Sequence, residues 1–579
     1  MIKLLRFIKP YRIAVALIVA LAFVQAMANL YLPTLMADIV DKGIAKGDTG
    51  YIWQIGGLMM LVTIGGTIAA VVGIFFSSQV STGLGRIIRA RLFTHVAQFS
   101  LHEFDTVSSS SLITRTTNDT TQVQQVLIIA LNVMITAPFT LIAGIILAIN
   151  QDVGLSWILV VIIPVLVASI IILMSKAIPL FRTMQTKLDK INLILDEGLT
   201  GVRVVRAFDR QKHEEQRFDE ANLDLTNVAI KVNRLVASLM PIMMLCLNLS
   251  SVAILWFGAI RINNGEMQVG ALIAFLQYAM QILFSLLMVS MMFIMLPRAA
   301  ASADRINEVL AIEPEIKDAD QVKWADEIQG YVEFQDVTFS YPGAEEPALC
   351  NISFSARPGQ TTAIIGGTGA GKSTLVSLIP RFYDIDSGSI LVDGLDIREM
   401  SQEHLRAKIG FVPQKAVLFS GTVAENIRFG KEDASEAEVR HAAEVAQASE
   451  FIEEMQDKFD SVIAQGGMNV SGGQKQRLSI ARALVRKPEI YVFDDSFSAL
   501  DFKTDARLRA ALKKETLDAT VLIVSQRVST IMDADQIIVL DDGHIAGIGT
   551  HRTLMSTSEV YREIVSSQLS LEEIAEEIA

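Results

Sequence analysis

Cysteine is nearly absent from this chain, with two in 579 residues. A single pair cannot form the multi-bridge framework that staples small secreted domains. Cys246 lies inside an apolar run and Cys350 opens a strand-like stretch, so both read as packing residues rather than a redox couple. Positive charge is also in deficit, at 50 Lys and Arg against 63 Asp and Glu, a formal balance of -13. No basic stripe survives outside the loops between apolar segments, which excludes nucleic acid as a partner. What is abundant is apolar surface: 51% of residues are hydrophobic while 20% are charged. That is too apolar for an ordinary soluble enzyme and too charged for a wholly embedded protein, so the chain is a composite.

The division falls near "LPRAAASADRINEVL". Residues 1–302 form a membrane domain, 303–330 a linker, 331–568 a soluble α/β domain, and 569–579 an acidic tail that reads as a solvated amphipathic helix. The first part holds six apolar runs, each near the ~20 residues needed to cross a ~30 Å hydrocarbon layer. They are Ile13 to Leu32, Ile55 to Phe76, Val126 to Ile149, Leu155 to Met174, Val236 to Ile260 and Val269 to Leu296. The first resembles a signal peptide, with basic residues before it and "AMA" at Ala26 to Ala28, but its apolar run continues past that point. It reads as a retained span.

Basic residues set the orientation. Lys3, Arg6, Lys9 and Arg12 precede the first span, Arg86, Arg89 and Arg91 follow the second, and Lys187, Lys190, Arg203, Arg206, Arg210 and Lys212 lie between the fourth and fifth. The opposite side has fewer, Lys42, Lys46 and Arg261, and the loop "NQD" has none. Both termini are therefore expected in the cytoplasm of a cell in whose plasma or inner membrane the chain sits. The cytoplasmic connections are long and helical in pattern, so several spans should continue beyond the bilayer as rods. Asn29, Asn132, Asn248, Gln277 and Gln281 are polar groups within spans, with Met243, Met244, Met280, Met291 and Met292 nearby. They read either as a site for adaptable apolar recognition or as helix-to-helix hydrogen bonds and packing.

The soluble part carries phosphate chemistry. "GGTGAGKST" comprises Gly366, Gly367, Thr368, Gly369, Ala370, Gly371, Lys372, Ser373 and Thr374, between a strand-like run "TTAII" and an apolar helical run. This is a phosphate loop in the context that makes the pattern specific. Backbone N–H groups converge on phosphate oxygens, Lys372 neutralises the terminal phosphates and the Ser373 hydroxyl ligates Mg²⁺. Asp494 ends the apolar run "IYVF", where an acidic residue holds the metal directly or through water. Between them, Ser471, Gly472, Gly473 and Gln474 open a helix whose free N–H groups form an anion site.

These motifs together resemble an ABC exporter half-transporter, a six-helix all-α membrane domain fused to an α/β P-loop ATPase domain with a helical subdomain. The loop corresponds to Walker A, "YVFDD" to Walker B and "VSGGQ" to the ABC signature. Gln414 in "FVPQ" matches the Q-loop and its metal-site role, Tyr341 in "VTFSYP" matches the aromatic that stacks on adenine, and "SALD" at Ser498 to Asp501 matches the D-loop. The resemblance implies a dimer binding ATP and Mg²⁺, each nucleotide lying between Walker A of one subunit and the signature of the other. It also implies coupling helices around "SSSSLITRTTND" and "GVRVVRAF", the latter docking on the opposite subunit.

The sequence departs from the family at the catalytic positions. Asp495 replaces the usual glutamate, and its carboxylate withdraws by about 1.5 Å, where misplacement of ~1 Å can cost ~100-fold in rate. Gln526, in "VSQRVSTI", replaces the switch histidine and cannot carry its charge. Gln465 replaces a glutamate before the signature. The ATP-binding residues and the signature are intact, a distribution seen in the degenerate subunit of heterodimeric exporters. The expectation is an ATP hydrolase subunit impaired at its own site, paired with a different half-transporter and moving hydrophobic or amphipathic molecules, multidrug cargo foremost, across the lipid bilayer. A homodimeric lipid or peptide exporter, or a non-pumping ATP-gated membrane regulator, remains the alternative.

Overall fold

The computed structural model describes residues 2–319, 321–324 and 329–568. The acidic stretch 569–579, parts of the 303–330 segment and the side chain of Met291 lie outside the described residues. The fold comprises two units. Residues 2–97 and 108–312 form one, and residues 98–107 join the described residues from 313 onward in the other.

The first unit is built from six long apolar helices: α1 (Lys3–Ile44), α2 (Thr49–Val96), α3 (Ser109–Gln151), α4 (Val153–Thr200), α5 (Gln211–Asn263) and α6 (Val269–Ala311). They run from 42 to 53 residues. At ~1.5 Å per residue the longest approaches ~80 Å, more than twice the ~30 Å hydrocarbon layer, so the rods extend well past the spans. Helix α1 continues through Ala26 to Ala28 without a break. Aspartates start two of the rods: Asp48 accepts from the Tyr51 N–H at 2.9 Å and Asp152 from the Leu155 N–H at 2.8 Å, each satisfying a donor that has no partner within its helix. Leu30, Ile254, Phe275, Tyr278 and Ile282 form a fully buried core, whereas Trp53 and Phe75 of α2 are exposed, as lipid-facing residues would be. Cys246 is buried beside Leu239 and Met243, a packing position.

Two buried carboxylates in this unit are paired with arginines, Asp152 with Arg261 at 3.0 Å and Asp119 with Arg305. The Asp119 carboxylate, 1% exposed, accepts from Ser302 Oγ at 2.8 Å and Arg305 Nε at 2.8 Å, joining α3 to α6. Arg115 extends the link by donating to the Arg305 carbonyl at 3.0 Å. Arg115–Asp119 is a π-turn within α3, a local widening often found where a helix carries a functional side chain.

The helix that joins the second unit lies just before the stretch expected to couple. Leu101–Val107 belongs to that unit, while Ser109–Thr114 and the π-turn begin α3. Ser108, with a φ of 64°, separates the two. Glu103 explains the placement: its carboxylate accepts from the Ser100 N–H at 2.6 Å and the Glu315 N–H at 2.9 Å, tying the short helix to the segment that follows α6. The expected coupling stretch "SSSSLITRTTND" begins on the other side of this turn, at the start of α3.

The strands of the second unit, in chain order, are β1 (Val332–Phe339), β2 (Leu349–Ala356), β3 (Thr361–Gly366), β4 (Ser387–Val392), β5 (Leu395–Asp396), β6 (Ile409–Val412), β7 (Gly421–Thr422), β8 (Val462–Ile463), β9 (Ile490–Asp494), β10 (Thr520–Val524), β11 (Gln536–Asp541) and β12 (His544–Gly549). The central sheet has the order β12-β11-β3-β10-β9-β6, and all neighbours are parallel except β11 and β12. β9 and β10 are buried along their whole length, as expected of near-continuous apolar runs in a sheet covered on both faces. An antiparallel sheet, β2-β1-β4-β5, lies beside it, and the pair β7-β8 adjoins the helical part. The Lys408 ammonium and the Asp393 carboxylate, each side chain no more than 3% exposed, pair at 2.5 Å, and Asp393 also accepts from the Tyr331 N–H at 2.9 Å.

Candidate functional site

Register in the central sheet assembles the site. Val524 of β10 aligns with Asp494 of β9 and with Ile364 of β3, so these three strands end at one edge. Parallel α/β sheets bind ligands at that carboxyl edge. The loop after β3 turns directly into helix α7 (Lys372–Leu378), and Gly371 adopts a φ of 92° at the junction. A Cβ there would meet Leu349 Cδ2 at 2.8 Å and the Ala348 carbonyl at 2.9 Å, so both conformation and space demand glycine.

Lys372 is buried and donates to the Gly366 and Gly367 carbonyls at 3.0 and 2.6 Å. Burial holds its ammonium below the ordinary lysine range, opposed by the carboxylates of Asp495 and Asp494. The Ser373 hydroxyl donates to Asp494 Oδ1 at 2.8 Å. Burial pushes Asp494 above the ordinary carboxyl range, the Ser373 hydrogen bond opposes this, and the neighbouring Asp495 charge adds to it. The Ser373 hydroxyl and the Asp494 carboxylate are oxygen donors of the kind that Mg²⁺ takes.

Two of the altered positions, Asp495 and Gln526, meet, while Gln465 does not join them. Asp495 Oδ2 accepts from Gln414 Nε2 at 3.2 Å and faces Gln526 Nε2 at 3.5 Å. The backbone of Asp495 is left-handed, with a φ of 44°, and is held there by its N–H donating to the Val524 carbonyl at 3.0 Å and by Ser498 Oγ donating to its carbonyl at 2.8 Å. Tyr341 shares a hydrogen bond of 2.9 Å with the Thr374 hydroxyl and packs edge-on to Tyr383, leaving part of its ring exposed beside the loop.

The signature stretch is organised as a helix start. Ser471 caps α8 (Gly472–Leu484) through a reciprocal box, Gln474 N–H to Ser471 Oγ at 3.3 Å and Ser471 N–H to Gln474 Oε1 at 2.9 Å. Ser471 and Gly472 are exposed. Among the described residues no hydrogen bond joins this helix start to the phosphate loop. Gln465 is likewise exposed, in the turn Gln465–Gly467. Arg482, by contrast, is structural: it donates to Asn426 and to the Val417 carbonyl and stacks over Phe419 and Phe429.

In the membrane unit, four of the five amides singled out in the sequence line one cavity of about 770 Å³: Asn29, Asn132, Gln277 and Gln281. Met280 and Phe284 supply apolar wall, and among the described residues no charged side chain contributes to the lining. Asn132 sits in a second π-turn, Ala130–Met134, which holds its amide against Ser77. Asn248 is exposed elsewhere, Met243 is packed in the core, and Gln25, which the sequence did not single out, joins the lining. Gln25 carries the same signal as the others, an amide inside an apolar run.

Residues 15–287 match the ABC transporter transmembrane region family and residues 349–498 the ABC transporter family of ATP-binding domains. An uncharacterized ABC transporter ATP-binding protein of Mycobacterium tuberculosis is 46% identical over 97% of both chains. A Bacillus subtilis protein described as a candidate multidrug export ATP-binding/permease protein is 32% identical over 98% of this chain and 99% of its own. An ATP-dependent lipid A-core flippase of Vibrio parahaemolyticus is 30% identical over 97% and 96%. The structure of a bacterial Atm1-family ABC exporter with ATP bound superposes with a TM-score of 0.80 at 25% identity, covering 97% of this chain and 98% of that one. Six membrane-capable helices and a P-loop ATPase domain on one polypeptide, matched end to end by these relatives, make the chain a multi-pass membrane protein and an ABC exporter half-transporter.

Proposed function

We propose that this chain is one subunit of an ATP-driven exporter of hydrophobic or amphipathic compounds, in which its own Walker site binds ATP tightly and hydrolyses it slowly. The observation that carries this reading is the Asp495 carboxylate, one methylene shorter than the usual glutamate and bonded through one oxygen to two amides rather than facing an imidazole. An amide can donate a hydrogen bond to a phosphate but cannot accept and release a proton as histidine does. The binding parts, Lys372, Ser373, Asp494 and Tyr341, are complete, and the exposed Ser471 helix start is free to complete a partner's site. Mg²⁺ held by Ser373, Asp494 and Gln414 would neutralise charge on the transferred phosphate.

A different half-transporter, carrying the glutamate and the histidine, supplies the working site in this reading. The exposed Val204 of the Val202–Ala207 helix and Phe208 just after it support docking on such a partner, since they are apolar and uncovered in the single chain. Both termini lie in the cytoplasm, on the side enriched in arginine and lysine. The uncharged, amide-studded cavity suits molecules with an apolar body and a neutral hydrogen-bonding group, the multidrug class first. A lipid cargo is the second reading, supported by the likeness to lipid A-core flippases. Phosphate release by the purified chain, alone and with a partner half-transporter in lipid, tests the proposal. Rapid turnover by the chain alone would sink it, and ATP retained through many of the partner's cycles is the expected result.

A further inference from the structure

The segment carrying Gln526 is gripped from a direction that the phosphate chemistry does not require. The C-terminal helix Glu559–Ser566 buries Tyr561 and Val565 against Val528 and Ile531, which begin and end the short helix after Gln526. Beyond that C-terminal helix, the amide of Gln568 turns back onto the backbone. Its Nε2 donates to the Gln526 carbonyl at 2.7 Å and its Oε1 accepts from the Val528 N–H at 2.9 Å. One side chain thus satisfies an acceptor and a donor on either side of Arg527, as a neighbouring strand would.

The other side of the segment is tied as well. The Arg527 guanidinium donates to the Ser498 carbonyl at 3.0 Å and to the Leu500 carbonyl at 3.4 Å, and its N–H donates to Ser525 Oγ at 3.0 Å. With the peptide groups on both sides fixed, the Gln526 side chain is aimed at Asp495. Gln526 is itself exposed, so its own packing does not hold that direction.

We propose that Gln568 is a positioning residue for the site: its amide clamp on the Gln526 carbonyl and the Val528 N–H sets the direction in which residue 526 presents its side chain to residue 495. Its hydrogen bonds go to the backbone at residues 526 and 528, so it acts through residue 526. The proposal rests on the reading of Gln526 as the switch position. Gln568→Met keeps the length of the side chain and removes both hydrogen bonds, while Gln568→Glu keeps the acceptor for Val528 and loses the donor.

Two measurements on the full chain in lipid nanodiscs decide it. Hydrogen exchange of the wild-type chain and Gln568→Met reads the clamp directly. Exchange at the Val528 amide should rise about tenfold, with the phosphate loop 366–374 unchanged, and equal protection in both proteins overturns the proposal. In an Asp495→Glu/Gln526→His background, Gln568→Met should lower kcat about five- to tenfold with KM for ATP unchanged, and Gln568→Glu should fall between. An unchanged kcat alongside faster exchange reduces the clamp to a structural tie and overturns the positioning role. If the double substitution adds no turnover, the impaired-site reading has failed separately. The wild-type kcat then carries the same comparison, with a five- to tenfold fall at constant KM expected and no fall overturning the proposal.

Discussion

Restoring glutamate and histidine at positions 495 and 526 is the sharpest perturbation of this site. Asp495→Glu adds one methylene and advances the carboxylate by about 1.5 Å from a backbone whose N–H is anchored to Val524 at 3.0 Å. Because misplacement of ~1 Å can cost ~100-fold, the recovery expected from Asp495→Glu with Gln526→His is about 10- to 100-fold in turnover, or roughly 1.4 to 2.7 kcal/mol of barrier. The two positions meet at the same carboxylate oxygen, with Gln526 Nε2 at 3.5 Å and Gln414 Nε2 at 3.2 Å. They should therefore couple: the double variant exceeds the product of the singles by an interaction of about 0.5 to 3 kcal/mol. The assay is phosphate release at saturating Mg-ATP by the wild type, both singles, the double, and the double carrying Lys372→Ala as a blank. Unchanged turnover in a double variant that still binds ATP would refute the geometric argument and move the defect elsewhere.

Gly371→Ala should abolish ATP binding and cost about 1 to 3 kcal/mol of stability, because alanine must take a left-handed φ of 92° and its methyl meets the Ala348 carbonyl at 2.9 Å; nucleotide titration and thermal unfolding read the two effects. Asp393→Ala strands the Lys408 ammonium in a site where its side chain is 3% exposed, at a cost of about 3 to 5 kcal/mol. Removing both charges as Asp393→Ala/Lys408→Met should recover much of that loss in denaturant melts. In the cavity, Gln277→Leu with Gln281→Leu should raise the half-saturating concentration of a neutral fluorescent amphipath about tenfold in vesicle transport, as lost hydrogen bonds to cargo would.

Local pattern carried much of this molecule. Apolar runs of spanning length locate helices whatever their neighbours, and the structure places every one of the six runs inside a longer rod. The phosphate loop is equally local, since its strand, its glycines and its helix are contiguous, and β3 and α7 lie where "TTAII" and "KSTLVSL" put them. The apolar run "IYVF" points to Asp494, whereas Gln414, Asp495 and Gln526 are marked by the family resemblance of the residues around them.

Tertiary structure decided the rest, because it depends on hydrogen bonds between residues far apart in the chain. Gln414 reaches Asp495 across 81 positions and Gln526 reaches it across 31. Parallel register alone brings those strand ends to one edge, and no window of sequence contains that register. Leu101–Val107 groups with the ATPase unit, where the Glu103 carboxylate accepts from the Glu315 N–H 212 residues away, a pairing that no local window contains. Gln568 left no signal at all: an exposed glutamine after a helix is unremarkable until its amide is seen on the backbone at Gln526. Composition and periodicity settle what a segment can be, through burial and backbone preference. Which distant polar groups finally meet is settled only when the sheet has aligned its strand ends and the helices have packed upon it.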